Sequence, residues 1–445
     1  MISTPICDFA KAYEQSGALR LHMPGHKGSS FLGMEGRDLT EIEGADVLYD
    51  AQGIILESER NAQRLFDTGL TLYSTEGSSL CIRAMLYLVC LHAKANGQKP
   101  VIAAARNAHK VFMTAAALLD ADVRWLFPKE SGSVVSCMLD LADAERVLRE
   151  QQPAALYVTS PDYLGHLADL PALAALCHRY GALLVVDNAH GAYLRFLPED
   201  RHPIHLGADL CCDSAHKTLP VLTGGAYLHI SQTAPELLRT HAQNALSLFA
   251  STSPSYLILQ SLDAANAYLL DGYQAKLAAL AASLDESKKR LAAFGYAVLG
   301  SEPLKLTLAP KAIGWRGDEL AARLQTLGMV PEFSDPDFLV LMFTPENACA
   351  IAPVTDALCA VDRRAPIADA PPVLSKPLRR MTPREAILCP QERIPVEEAH
   401  GRVLAAASVN CPPAVPIVVL GEVIDQSAIA CFRYYGIEQV YVVRE

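Results

Sequence analysis

The stretch "GALLVVDNAHGAY", residues 181–193, decides the fold. From Ala182 to Val186 it is apolar without a break, and it stops at Asp187. A strand with one wet face alternates polar and apolar residues. An unbroken run needs cover on both faces, as in a mostly parallel sheet flanked by helices. Its neighbours repeat the pattern: "VIAAA" (101–105), "AALYVTS" (154–160) and "GGAYLHI" (224–230) each read as a buried strand. Between them, "SSLCIRAMLYLVCLHAKANG" (78–97) and "LADLPALAALCHRYG" (167–181) carry apolar residues at helical spacing, and each ends at a glycine suited to a C-cap. The fold class expected is α/β, a large domain with a mostly parallel sheet plus smaller α/β parts towards the C-terminus. Ligands of such sheets gather at the carboxyl ends of the strands, so the polar residues that follow each strand are the candidates for chemistry.

Further out, the long Ala/Leu-rich stretch from about 255 to 295 reads as helix leading out of the sheet. "EPLKLTLAP" (302–310) and "DFLVLMFTP" (337–345) read as strands of a smaller unit, and the Pro/Ala-rich "DRRAPIADAPPVLSKP" (362–377) as a linker. The 445 residues are 51 % hydrophobic and 20 % charged, ample for a large core and unlike a disordered chain. The net charge of −11 argues against a nucleic-acid binder. Twelve cysteines occur without a CxxC, so they read as reduced core thiols of a cytoplasmic protein. No signal peptide and no bilayer-spanning stretch are expected.

At the strand ends, Asp187 could pair with a protonated ring nitrogen, and His190 lies three residues on. "DSAHKTLPVLTGG" (213–225) sets Lys217 among Ser214, His216 and Thr218, just ahead of a Gly-Gly pair. A lysine amine attacks a carbonyl only when neutral, so partial burial and neighbouring cations would activate it. Gly77-Ser78-Ser79 opens a helical run, where free N–H groups and the helix dipole make an anion site. His109 follows another strand, where an imidazole could stack on a planar ring. Singly, each has an ordinary reading as a cap, a loop histidine or a solvated lysine. Their order along one sheet is what matters: anion turn, histidine, strand-end aspartate, lysine.

That order resembles the fold-type I pyridoxal-phosphate enzymes, the aspartate aminotransferase superfamily. "LRLHMPGHKG" (19–28) narrows the resemblance to the Orn/Lys/Arg decarboxylase family, and "SAHKT" (214–218) is similar to the family's lysine motif. "DLTEIEGADVLYDAQGIILESERNAQRLF" (38–66), "MTPREAILCPQERIPVEEAHGRV" (381–403) and "CPPAVPIVVLGEVI" (411–424) extend the likeness over essentially the whole chain. The resemblance implies a short form without the N-terminal wing domain. It divides the chain into a 1–45 segment with the HMPGHKG motif, a 46–270 cofactor-binding domain, a 271–365 small α/β domain and a 366–445 C-terminal domain. There are departures: a tyrosine and a glycine of the family's C-terminal element are replaced in Cys411–Pro416, the anion turn reads Glu76-Gly77-Ser78-Ser79, and Asp162 stands where threonine is common.

The implied activity is decarboxylation of arginine, lysine or ornithine, with pyridoxal 5'-phosphate as cofactor and no metal. By resemblance Lys217 would hold the cofactor covalently, Asp187 would keep its ring nitrogen protonated and His109 would stack on the ring. Gly77, Ser78, Ser79, Ser214 and His216 would hold the phosphate, with Thr252 of "STSPSY" (251–256) supplied by the partner subunit. His190 would touch cofactor or substrate, and His216 or Lys217 would return a proton to Cα. Candidates for the substrate are His26, Asp162, Glu422 and Asp425. The partners implied are the amino acid and a second copy of the chain, as a homodimer or higher homo-oligomer with shared sites, but no nucleic acid or membrane. Competing readings are an aminotransferase or aldolase-like lyase on the same residues, a metal hydrolase using His22, His26, Asp187 and His190, which lack metal-site spacing, and a binding-only paralogue.

Overall fold

Each apolar run forms a strand. The computed structural model describes residues 3–128, 133–406 and 415–444, so Cys411–Ala414 of the altered C-terminal element lie outside the described residues. Seven strands follow in chain order: β1 (Leu70–Ser74), β2 (Val101–Ala105), β3 (Asp122–Leu126), β4 (Ala155–Thr159), β5 (Leu183–Asp187), β6 (Leu210–Asp213) and β7 (Ala226–Ile230). β5 is buried along its whole length, as its unbroken apolar run requires. The chain divides into two compact units, one of residues 1–99 and 170–276 and the other of residues 100–169 and 277–445.

In the first unit the strand order is β1-β7-β6-β5. β5 and β6 are parallel, with Asp187 opposite Cys212, and β7 runs antiparallel to both β6 and β1. Helix Gly77–Ala95 packs on β6 and β7. It ends at Gly97, whose φ of +69° and the bond from Gln98 N–H to Ala93 O close the last turn as a Schellman cap. This helix corrects one expectation, because by length and composition it could cross a membrane. Leu80, Ile82, Met85, Leu88 and Val89 are buried inside the unit, so its apolar character serves the core. The stretch expected to be helical from about 255 to 295 is helical, as two helices, Tyr256–Leu270 and Tyr273–Phe294, broken at Asp271-Gly272. Helical periodicity continues through the break, which explains why the pattern alone hides it.

A polar knot ties the strand ends of this unit together. The side chains of Asp213, His202 and His229 are completely buried. Asp213 Oδ2 accepts from His202 Nε2 at 3.0 Å and His229 Nε2 at 3.3 Å, and its Oδ1 accepts from Asn188 Nδ2 at 2.7 Å. The far nitrogen of His229 meets the Thr71 hydroxyl at 2.8 Å. Elements β1, β5, β6 and β7 thereby converge on one carboxylate. Burial works to raise the pKa of Asp213, but the two imidazoles outweigh it and hold the carboxyl well below the usual range. Burial pushes His229 down, against the pull of Asp213.

In the second unit β4-β2-β3 are all parallel. A smaller antiparallel sheet uses β8 (Ala297–Leu299), β9 (Lys305–Ala309), β10 (Phe333–Ser334) and β11 (Leu339–Met342), ordered β10-β11-β9-β8. A last antiparallel pair, β12 (Gln391–Pro395) and β13 (Gln439–Val443), closes over a core that includes Val396, Ile417, Ile424, Phe432 and Val440. Each such side chain contributes roughly 1.5–3 kcal/mol on burial. The proline-rich 362–377 segment has no regular structure, as expected of a linker, yet Pro372 O accepts from the Cys431 thiol and Ser375 bonds Asp425. At the end of β2, Arg106 Nη2 holds Glu422 Oε2 at 2.7 Å, both side chains being buried, and also bonds Ile417 O at 3.1 Å.

Two outcomes are expected. Asp213 and His229 both sit below their ordinary values, so the unfolded chain binds more protons and stability rises with pH. The stability these two groups supply should therefore fall as pH drops below about 6.5 and again below about 4, against the opposite contribution of raised acids such as Asp335. Asp213→Asn should cost about 2–3 kcal/mol at pH 7 and flatten the lower limb; an unchanged acid profile would contradict the assignment. Glu422→Gln strands a buried guanidinium and should cost about 3–5 kcal/mol in urea unfolding.

Candidate active site

Lys217 belongs to the short helix Ala215–Thr218, which begins directly after β6. Its Nζ stands 3.1 Å from His190 Nε2. Asp187 ends the neighbouring β5, buried at 3 % exposure, with its Oδ1 accepting from Ala189 N–H at 3.1 Å and from the Cys212 thiol at 3.8 Å. Because Asp213 is the last residue of β6, the buried knot fixes the point from which the lysine turn departs.

The Gly-Gly pair explains how this turn reaches the anion site. Gly224 has φ +101°, and a Cβ there would lie 2.8 Å from Thr75 O; a Cβ on Gly225 would lie 2.3 Å from Val221 Cγ1. Their carbonyls stitch two elements together. Gly224 O accepts from Gly77 N–H at 2.7 Å, and Gly225 O accepts from His216 N–H at 3.2 Å and Nδ1 at 2.9 Å. The start of helix Gly77–Ala95 has no side-chain cap, and there the Ser214 hydroxyl donates to Ser78 Oγ at 2.8 Å. A Cβ on Gly77 would have nothing nearer than His216 Cε1 at 3.9 Å, so the approach is open. Burial, and then the charge of Lys217, push His216 below its usual pKa. With Nδ1–H given to Gly225, neutral His216 presents Nε2 as an acceptor.

These residues fit pyridoxal phosphate on their own chemistry. An uncapped helix start with two converging hydroxyls suits a phosphate. A buried carboxylate suits a protonated ring nitrogen, and an amine beside an imidazole suits a carbonyl carbon. The buried Thr218 Oγ1, next to Lys217, has no hydrogen-bond partner among the described residues, leaving one polar group for a ligand to satisfy.

Other candidates have local partners. His26 Nε2 meets Asp38 at 3.1 Å and its Nδ1 accepts from Gly28 N–H at 3.0 Å. Ser251, beside the exposed Thr252, donates its N–H to Glu76 Oε1 at 2.7 Å. In the second unit His109 caps helix Lys110–Leu119, with Nδ1 accepting from Val111 N–H at 3.2 Å. Asp162 is buried and accepts from Ser136 Oγ at 2.5 Å and His166 Nδ1 at 2.9 Å. Glu422 is engaged by Arg106, and Asp425 caps helix Gln426–Tyr434 through Ala428 N–H at 2.9 Å. His202, Cys211 and Asp213 bring potential metal-ligand atoms within 4.8 Å of one another. The knot's hydrogen bonds already fill the carboxylate, however, and burial raises the Cys211 thiol well above its usual value. Asp213, Asn188, His202 and His229 escaped the sequence reading. The available signal was a histidine inside the apolar run "AYLHI", which must find a partner once buried.

Comparison with known proteins places this geometry. Residues 4–292 match the Orn/Lys/Arg decarboxylase major domain, and residues 373–441 match the C-terminal domain of the same family. An arginine decarboxylase of Bacillus subtilis is 30 % identical over 96 % of this chain and 92 % of its own length. One of Halalkalibacterium halodurans is 28 % identical over 97 % and 93 %. Among solved structures, a lysine decarboxylase of Francisella novicida superposes with a TM-score of 0.79 at 16 % identity, covering all of this chain and 81 % of the other. A sphingosine-1-phosphate lyase of Burkholderia pseudomallei superposes at 0.57 with 17 % identity, over 68 % and 76 %. These likenesses bear out the α/β fold-type I architecture. With both domains matched and the lysine turn in place, the chain belongs to the Orn/Lys/Arg decarboxylase family.

Proposed function

We propose that this protein decarboxylates a basic amino acid, with pyridoxal phosphate held on Lys217. The seat of Lys217 carries this reading: its amine lies against His190, on the turn that the Gly224-Gly225 carbonyls tie to the anion-binding helix start. When bound, the cofactor supplies an electron sink for the bond pair released at Cα as carbon dioxide leaves.

The chain's own groups do the rest. Ser78, Ser79 and Ser214, with the N–H groups of the helix start, would fix the phosphate. Asp187 would hold a proton on the ring nitrogen. His190 Nε2 orients the Lys217 amine and can take its proton, while His216 serves as an acceptor rather than a donor. That leaves Lys217 as the group that would return a proton to Cα. His26 would act at the substrate.

Arginine is the substrate to offer first, since relatives at 30 % and 28 % identity bear the name arginine decarboxylase. The amine product would place the enzyme at the start of polyamine formation, in the cytoplasm. A homodimer is supported by the segment carrying the HMPGHKG motif, where Leu21 is 84 % and Phe31 79 % exposed beside the exposed Leu19, Met23 and Leu32. Glu35 holds this apolar segment in shape by accepting from the N–H groups of Phe31, Leu32, Gly33 and Met34. A second copy would cover it, with Thr252 of the partner subunit completing the phosphate site.

Purified protein with pyridoxal phosphate should release carbon dioxide and one amine from arginine, lysine or ornithine, without a keto acid. Lys217→Ala should lower turnover on the order of 10^4-fold and remove the visible absorbance of the covalently held cofactor. Turnover retained in that variant, or a keto acid among the products, would overturn the reading.

A further inference from the structure

The second unit contains a cavity of about 630 Å³ that the chemistry above does not use. Its walls include Phe333, Asp335, Val415, Ile417, Tyr434 and Tyr435. Asp335 is the unusual member, with only 9 % exposure. Its Oδ1 takes the N–H groups of Asp337 at 2.8 Å and Phe338 at 2.7 Å. Its Oδ2 accepts from no group among the described residues.

The charges facing Asp335 come from several elements, and the cations among them are already engaged. Lys311 Nζ lies 2.7 Å from Asp337 Oδ1 and 2.7 Å from the Tyr434 hydroxyl, which itself donates to Asp337 Oδ1 at 2.8 Å. Arg316 grips Asp318 through two bonds of 3.0 and 2.8 Å. Arg433 lies 3.3 Å from Glu397. Asp369 adds an exposed acid to the wall, and the buried Tyr435 hydroxyl has no hydrogen-bond partner among the described residues.

We propose that this cavity is a second binding site, for an organic cation bearing an amine or guanidinium on an aliphatic chain and no carboxylate. Asp335 Oδ2 offers a charge-assisted bond, the tyrosine rings offer cation–π faces, and Phe333, Val415 and Ile417 offer apolar cover for methylenes. A metal ion does not suit it, because a hard divalent cation wants six or more oxygen ligands, and of the carboxylates on these walls Asp318 is already held by Arg316. An amino acid suits it less than its decarboxylated amine, because each arginine that could take a carboxylate already holds one. The choice of cation rests on the decarboxylase reading; the existence of the site does not. A site that prefers product to substrate would let accumulated amine act back on the enzyme.

Burial, with Asp337 adding to it and Lys311 opposing, pushes the Asp335 carboxyl up to about 7. The ionised form binds the cation, so affinity should rise between pH 6 and pH 8.

The test is calorimetric titration of full-length Lys217→Ala protein, which keeps this cavity but cannot hold the cofactor covalently. Agmatine and 1,5-diaminopentane are the amine probes, and arginine and lysine the comparisons. One amine per chain should bind, more tightly than its parent amino acid and more tightly at pH 8 than at pH 6. Adding Asp335→Asn, which retains an oxygen for the two N–H groups, should weaken binding about tenfold or more. Equal affinity with and without Asp335→Asn, no amine binding by Lys217→Ala protein, or tighter binding of the amino acids would overturn the proposal. Should Asp335→Asn fail to fold, as judged by its melting curve, the pH comparison on Lys217→Ala decides: affinity that does not rise between pH 6 and pH 8 would overturn it. Failure of the decarboxylase reading would show separately, as absence of carbon dioxide from wild-type protein whose cavity still binds amines.

Discussion

The position of Lys217 depends on one buried carboxylate. Asp213 closes β6, and the next residues are Ser214, which meets the anion turn, and Lys217. An isolated charge in the interior would be prohibitive. Here His202, His229 and Asn188 each give it a hydrogen bond, and each comes from a different part of the chain. Asn188 follows Asp187 directly, so the same carboxylate holds the end of β5 against the end of β6. The two strand ends are thus locked together through one carboxylate, while Asn188 Oδ1 and His202 Nδ1 find no partner among the described residues.

Much of this was legible in the sequence, for a physical reason. Burial on both faces forces unbroken apolar runs, so β2, β4, β5 and β7 announce themselves locally, and the residues after them become suspects. The Gly-Gly pair was visible as a question. Its answer, that Gly224 must approach Thr75 O closely, needs β1 and β7 to be neighbours. The partners of Asp213 were not legible, because a hydrogen bond between residues 213 and 188 or 229 leaves no periodic trace. Glu422 shows the same limit. An acid after an apolar run reads as available, whereas the fold gives it to Arg106, more than three hundred residues earlier. The apolar helix Gly77–Ala95 looks membrane-like in isolation because a helix packed on a sheet can be apolar on nearly every side.

Asp213 and Asp335 are both buried acids, yet they behave differently, and the difference is instructive. Asp213 is surrounded by donors and stays ionised; Asp335 has two backbone donors on one oxygen and none on the other, and burial moves it towards neutrality. The first serves architecture, with every lone pair that matters engaged. The second leaves an oxygen facing a cavity, the condition under which a buried acid can serve a ligand.

The most direct test of the central claim is to load the protein with pyridoxal phosphate, reduce it with borohydride and map the labelled peptide by mass spectrometry. Label on Lys217 alone is the predicted result. Label on another lysine, such as Lys27 or Lys110, or none at all, would contradict the account.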